Sequence, residues 1–412
     1  MPLVKATTLV QEMVHSFFGC LVSTRNADHW LKEGAAVWLS WKFLGDVKKQ
    51  HTSSSSGPQS PYNAFCHYAA NNIDDRCVAT LLDGAAETLA LEALEDGLEP
   101  VVSMLTYPKG PMILSLLHLH LGDSRMRDSL KDYLKSNSWT EAGTTELGYR
   151  LSQRSGDASL MLKTWARKKG IPYLHVSDVS DGGRRRISVA QKRFRNSGST
   201  DVQTPWAHPL SYVSGSSAQS GNSHVNPLHA GTLITVKSQF KLSGSVSSSD
   251  WLKLAPIGNI PARVSYSSSL HQKLVAAFSQ LSPFDRYTFL QDTYQLAKSG
   301  DLVIKDFLEI VAGMGAGVEK SLTVLRELDT SLDELDFILG SKAESKKLQQ
   351  RFRSWARKQV LVPIATNLKW KEILHPDPDH RARAIIFRPI AVYGDVEYQQ
   401  KHKGAYNVLF AF

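Results

Sequence analysis

A chain of 412 residues with 42% hydrophobic content can bury substantial cores. It should form two or three domains, because one core rarely exceeds about 250–300 residues. Its three cysteines (Cys20, Cys66, Cys77) form no C-x-x-C pair, which excludes a disulfide-stapled scaffold or a cysteine-based zinc site and points to a reducing, cytoplasmic setting. No run approaches the roughly 18 apolar residues that span a bilayer, and the net charge of +9 permits contact with anionic surfaces.

Residues 8–22 and 30–44 read as two helices, the second carrying Trp30, Leu31, Ala35, Trp38, Leu39 and Trp41 between polar positions. Paired, they set His15 beside Glu33. Gln11, Glu12 and His15 interrupt any apolar leader core, so no targeting signal is read. Thr52 to Pro61 is Ser-rich and reads as a flexible surface insertion. Helical periodicity resumes at 85–96, 109–121 and 124–135, and again over 157–169. From Ile171 the texture changes to short β-prone runs (Tyr173 to Val176, Ile187 to Val189, Thr232 to Leu242) among Gly, Ser and Pro, as in a small β-sandwich.

Within that region, 197–231 is rich in Ser, Gly, Asn and His and reads as a mobile loop. His208, His224 and His229 are expected there as solvated side chains rather than metal ligands. Gly182 to Arg186 reads as a hairpin tip with solvated arginines. Lacking any aromatic-interleaved recognition motif, it argues against a nucleic-acid partner. Helical patterns return at 270–281, 285–299, 303–313, 318–339 and 346–361, an array of antiparallel helices that serves as a scaffold. The expected class is α+β: a mostly helical segment 1–171, a β-sandwich 172–259 and a helical domain 260–412.

The chemistry concentrates near the start. On a helix, positions i and i+4 share a face, so H-E-x-x-H lets two imidazoles converge on one Zn²⁺ while the Glu addresses the metal-bound water. Here Gln11-Glu12-Met13-Val14-His15 has glutamine at the first corner, followed by Phe17-Phe18-Gly19 and by Trp30-Leu31-Lys32-Glu33-Gly34. Downstream come Tyr107-Pro108-Lys109-Gly110, Trp165 to Pro172 (WARKKGIP), Gln191-Lys192-Arg193-Phe194 and Trp206 to Leu210 (WAHPL). Taken in this order, the set resembles the zinc metallo-aminopeptidase (gluzincin) family of aminopeptidase N and puromycin-sensitive aminopeptidase. Ser282-Pro283-Phe284-Asp285-Arg286, Asp292 to Gly300, and Arg388 within 383–395 are similar to segments of its helical C-terminal domain.

The resemblance implies a thermolysin-like catalytic segment acting on peptides. Position by position it assigns His15 and Glu33 as metal ligands, Gln11 as a degenerate ligand position, Glu12 as general base and Tyr107 as oxyanion donor. Zinc is the implied cofactor, weakly bound or absent, because an amide oxygen is a poorer donor than imidazole. Seventeen residues separate His15 from Glu33, one fewer than the family spacing, and an insertion falls around 48–88. The family's amine-binding G-x-M-E-N segment precedes the zinc helix and has no counterpart here, so a partial member is expected. Two readings stay open: a zinc-dependent aminopeptidase-like protein, or a non-catalytic peptidase-like scaffold or interaction module. The sequence leaves the oligomeric state open.

Overall fold

The computed structural model describes residues 2–25, 28–51, 99–168, 170–180, 185–196, 198, 205–215, 226–227, 237–242, 246–256, 260–315, 317, 319–368 and 380–394, with backbone alone at 2–5, 48–51, 99–108, 226–227 and 380. The expected helix at 85–96, the Ser-rich stretch, Arg184, His224, His229, Cys66 and Cys77 lie outside the described residues. The chain divides into two compact units, Met1–Leu270 and His271–Phe412.

The first unit opens with helices α1 (Pro2–His15) and α2 (His29–His51). The expected helix over 8–22 instead stops at His15. The N–H groups of Phe17 and Phe18 both donate to the Val14 carbonyl at 2.9 Å, and that of Cys20 donates to His15 O at 3.1 Å. Gly19 then turns the chain at φ +129°, which an L side chain rarely adopts. The Phe-Phe-Gly motif is therefore a helix stop. α3 (Glu99–Leu121) buries Met112, Ile113, Leu114, Leu116 and Leu117 around much of its circumference, as a central helix must. It meets α2 at a glycine pair: a Cβ added to Gly34 would lie 2.9 Å from the Gly110 Cα.

Helices α4 (Asp123–Ser136), α5 (Thr144–Ser152) and α6 (Gly156–Arg167) follow. α5 was not foreseen. Its start is held by Glu146 Oε2, which accepts from the Gly143 N–H at 2.8 Å, and by Asp28 Oδ1, which accepts from the Thr144 N–H at 3.0 Å.

Strands β1 (Pro172–Asp178), β2 (Arg186–Arg193), β3 (Ser211–Ser214), β4 (Asn226–Pro227), β5 (Lys237–Lys241), β6 (Leu252–Leu254) and β7 (Arg263–Tyr266) make two sheets, ordered β5-β2-β1-β7 and β4-β3-β6. β1 and β2 form the expected hairpin, with Val176 opposite Val189. β7 pairs in parallel with β1, so the β region extends past 259. Two loop expectations are corrected. Part of 197–231 is core, because Trp206 and His208 are fully buried and β3 follows them. Arg185 is not solvated: its side chain is 1% exposed and its Nε donates to Asp178 Oδ2 at 3.0 Å. Burial alone would raise the Asp178 pKa, but the Ser180 hydroxyl and N–H together with Arg185 hold it below the usual carboxylate range.

The second unit is helical: α7 (Ser268–Ala276), α8 (Pro283–Lys298), α9 (Ile304–Gly315), α10 (Leu322–Gly340), α11 (Lys346–Ala356), α12 (Val362–Asn367) and α13 (His380–Val392). α8 starts at a Ser282 cap that accepts the Asp285 N–H at 3.1 Å, with Pro283 in the first turn, and stops before Gly300 at φ +81°. Arg286 of the Asp-Arg motif forks onto Glu319 at 2.7 and 3.0 Å, and Arg388 onto Asp329 at 3.2 Å. These motif arginines are structural ties. Among the described residues, no helix is long and apolar enough to cross a membrane.

Candidate functional site

The stop after α1 places His15 at the helix end, facing the second turn of α2. His15 Nε2 stands 3.5 Å from Glu33 Oε2, and the Glu33 side chain is only 9% exposed. His15 Nδ1 lies 3.3 Å from Phe18 O; with the ring proton on Nδ1, the Nε2 lone pair is aimed at a carboxylate oxygen. In that tautomer two acceptors face each other. A cation between them, or protonation of the ring, completes the arrangement.

The other Glu33 oxygen is already addressed: His29 Nε2 lies 3.6 Å and Lys32 Nζ 3.5 Å from Oε1. Neither was singled out in the sequence, although His29 at four residues before Glu33 must share its helix face. Gln11 is half-buried one turn before His15, and Glu12 is exposed. Tyr107 lies on α3 one turn before Gly110; its side chain is outside the described residues. The expected His15–Glu33 pair is thus brought together, and Gln11 shares the face of His15 by helical period.

Buried polar links hold this corner. Trp30 Nε1 donates to Thr144 Oγ1 at 3.1 Å, and the Thr144 hydroxyl in turn donates to Asp28. A Cβ on Gly143 would run into the Asp28 carboxylate, so a side chain there would have to displace Asp28. Lys109 of the Tyr-Pro-Lys-Gly motif is 1% exposed and donates from Nζ to Lys168 O at 2.7 Å, satisfying a carbonyl at the end of α6. Burial, helped by the Arg193 charge, pulls its pKa down to about 7.

The remaining motifs bond to one another. Trp165 Nε1 donates to Ala207 O at 2.8 Å, while the Gln191 amide accepts from Trp206 N at 3.0 Å and donates to Trp206 O at 3.1 Å. His208, edge-on to Trp165, has its pKa lowered by burial to about 4. A groove of about 810 Å³ lies beside Phe17, Trp38, Phe43 and Leu130, but neither His15 nor Glu33 lines it. We locate the chemistry by the converging donors, because a groove without them offers shape alone.

Two family comparisons bear on these features. The Peptidase family M1 domain matches residues 4–165, and the ERAP1-like C-terminal domain matches 251–408. Residues 4–165 thus carry a family M1 peptidase domain. It is 25% identical to Aminopeptidase M1-A of Oryza sativa subsp. japonica over 89% of its own length and 39% of that protein's. To Puromycin-sensitive aminopeptidase of Caenorhabditis elegans it is 26% identical, over 80% and 33%. To Tricorn protease-interacting factor F2 of Thermoplasma volcanium it is 24% identical, over 93% and 44%. The chain thus spans less than half the length of these curated relatives. The motifs quoted from the first helices lie within the matched M1 domain, and those of the second unit within the matched ERAP1-like domain.

Proposed function

We propose that this chain carries a zinc-aminopeptidase centre in weakened form and acts on peptide N-termini. In this reading His15 Nε2 and Glu33 hold the metal, with Gln11 at the third corner. The observation that carries it is the 3.5 Å approach of the His15 imidazole to a buried carboxylate. The donor set fits a zinc ion in two of three positions; an amide oxygen serves poorly as the third. When bound, zinc supplies Lewis-acid activation of water and of the scissile carbonyl. Glu12 takes the proton of the attacking water at its carboxylate, and the Tyr107 hydroxyl donates to the carbonyl oxygen as charge develops there.

A specific observation favours a second reading, that of a peptidase-like scaffold: the Lys32 ammonium, 3.5 Å from Glu33 Oε1, supplies a positive charge where the metal's would act. Zinc titration separates the two. The parent chain is expected to bind zinc weakly and Gln11→His at least tenfold more tightly, since an imidazole replaces an amide. Equal affinity in both would remove Gln11 from the ligand set. If aminoacyl substrates turn over, Glu12→Ala should abolish the activity and Tyr107→Phe should lower kcat more than it raises KM. Cleavage that survives Glu12→Ala would sink the proposed mechanism.

A further inference from the structure

Away from the His15–Glu33 pair, the helical second unit gathers one imidazole and two carboxylates of its own. His271 on α7 and Asp306 and Glu309 on α9 present one ligand atom each, all within 4.8 Å of one another. Asp306 and Glu309 are three residues apart on one helix, so they share a face. His271 is 5% exposed, its ring packs on Phe289 at 5.3 Å between centroids, and its Nε2 is buried without a hydrogen-bond partner. That nitrogen lies 3.9 Å from Glu309 Oε2, beyond hydrogen-bond reach. A buried ring nitrogen left unsatisfied is costly, and this one faces the Glu309 carboxylate.

We propose that His271, Asp306 and Glu309 form a second divalent-metal site, taking a borderline transition ion such as zinc through one imidazole and two carboxylates. Donors about 2.0–2.2 Å from a common ion lie roughly 3–3.5 Å apart, so the three ligand atoms, now within 4.8 Å of one another, must close in by side-chain rotation. Burial lowers the His271 pKa, against the opposing charges of Asp306 and Glu309, which keeps the ring neutral and able to ligate near neutral pH. Lys305 Nζ approaches the other Glu309 oxygen at 3.5 Å, but its side chain is 78% exposed and can withdraw into solvent. The two half-exposed carboxylates leave room for water to complete the coordination. Such an ion would tie α7 to α9.

Zinc bound per chain after equilibrium dialysis tests this site on the full protein. Asp306→Asn and His271→Gln are each expected to bind one equivalent less than the parent at zinc levels that saturate it. Glu33→Gln should keep that equivalent, which separates this site from the proposed peptidase centre. Asp306 is only half-buried, so its variant stays informative even where His271→Gln fails to fold. Equal zinc in Asp306→Asn and parent, or no zinc lost from either variant, overturns the proposal.

Discussion

Lys32 bears on the centre as directly as Gln11 does. Its ammonium sits 3.5 Å from the same carboxylate that would bind a metal, so a divalent ion approaching Glu33 meets a like charge. The Lys32 side chain is 33% exposed and solvent screens the pair, which limits the effect to the scale of a surface ion pair, about 1 kcal/mol or less. Lys32→Met is therefore expected to strengthen zinc binding by about two- to fivefold. Unchanged affinity by competition titration would show that the ammonium swings away from the site.

His208 supplies a residue-scale effect of opposite character. Its folded pKa, about 4, lies below the unfolded value near 6.5, so the unfolded chain takes up the proton first as pH falls. Stability from this group is then complete above about pH 6.5 and is lost downward to about pH 4. Between pH 7 and 5 the parent should lose about 2 kcal/mol more than His208→Leu, read from urea midpoints at each pH. Parallel losses in the two proteins would refute the assignment.

At the scale of elements, glycines mark where helices touch. Gly34 and Gly110 belong to two separate motifs, and they meet where α2 crosses α3, with no room for a Cβ. Gly34→Ala should cost about 1–3 kcal/mol through overpacking, whereas Gly156→Ala, with nothing within 4 Å, should be neutral or slightly stabilising. Equal melting temperatures for the two variants would contradict this packing.

The same elements show what was legible in the sequence. α4, α6 and α9 could be read to within a few residues, because 3.6-residue periodicity survives over a dozen positions, whereas α2 runs past its expected end at 44 to His51. β3 and β6, at four and three residues, offer too few positions to display a period of two. α1 was overextended because the turn after His15 keeps an apolar composition, and only the Gly19 conformation ends it. The His15–Glu33 pairing was legible from two motifs. His29 and Lys32 were not, since their approach to Glu33 belongs to tertiary geometry.

For the molecule as a whole, net charge and charge placement point different ways. A balance of +9 would by itself favour polyanions. Yet the sharpest basic cluster in the sequence is largely committed within the fold. Arg185 is buried against Asp178, Arg193 is 9% exposed, and Lys192 sits 5.0 Å from the Tyr173 ring centre. A phosphate-reading surface needs several solvent-facing cations in register with a backbone, and each cation engaged inside the protein contributes little to counterion release. Binding to duplex DNA or to RNA should accordingly be non-specific, indifferent to sequence, and lost on raising salt from about 50 to 200 mM. The check is fluorescence anisotropy with unrelated oligonucleotides across that salt range. Tight binding that persists at about 200 mM and discriminates between sequences would show that a recognition surface exists after all, and would weaken the case for peptides as the main partner of this chain.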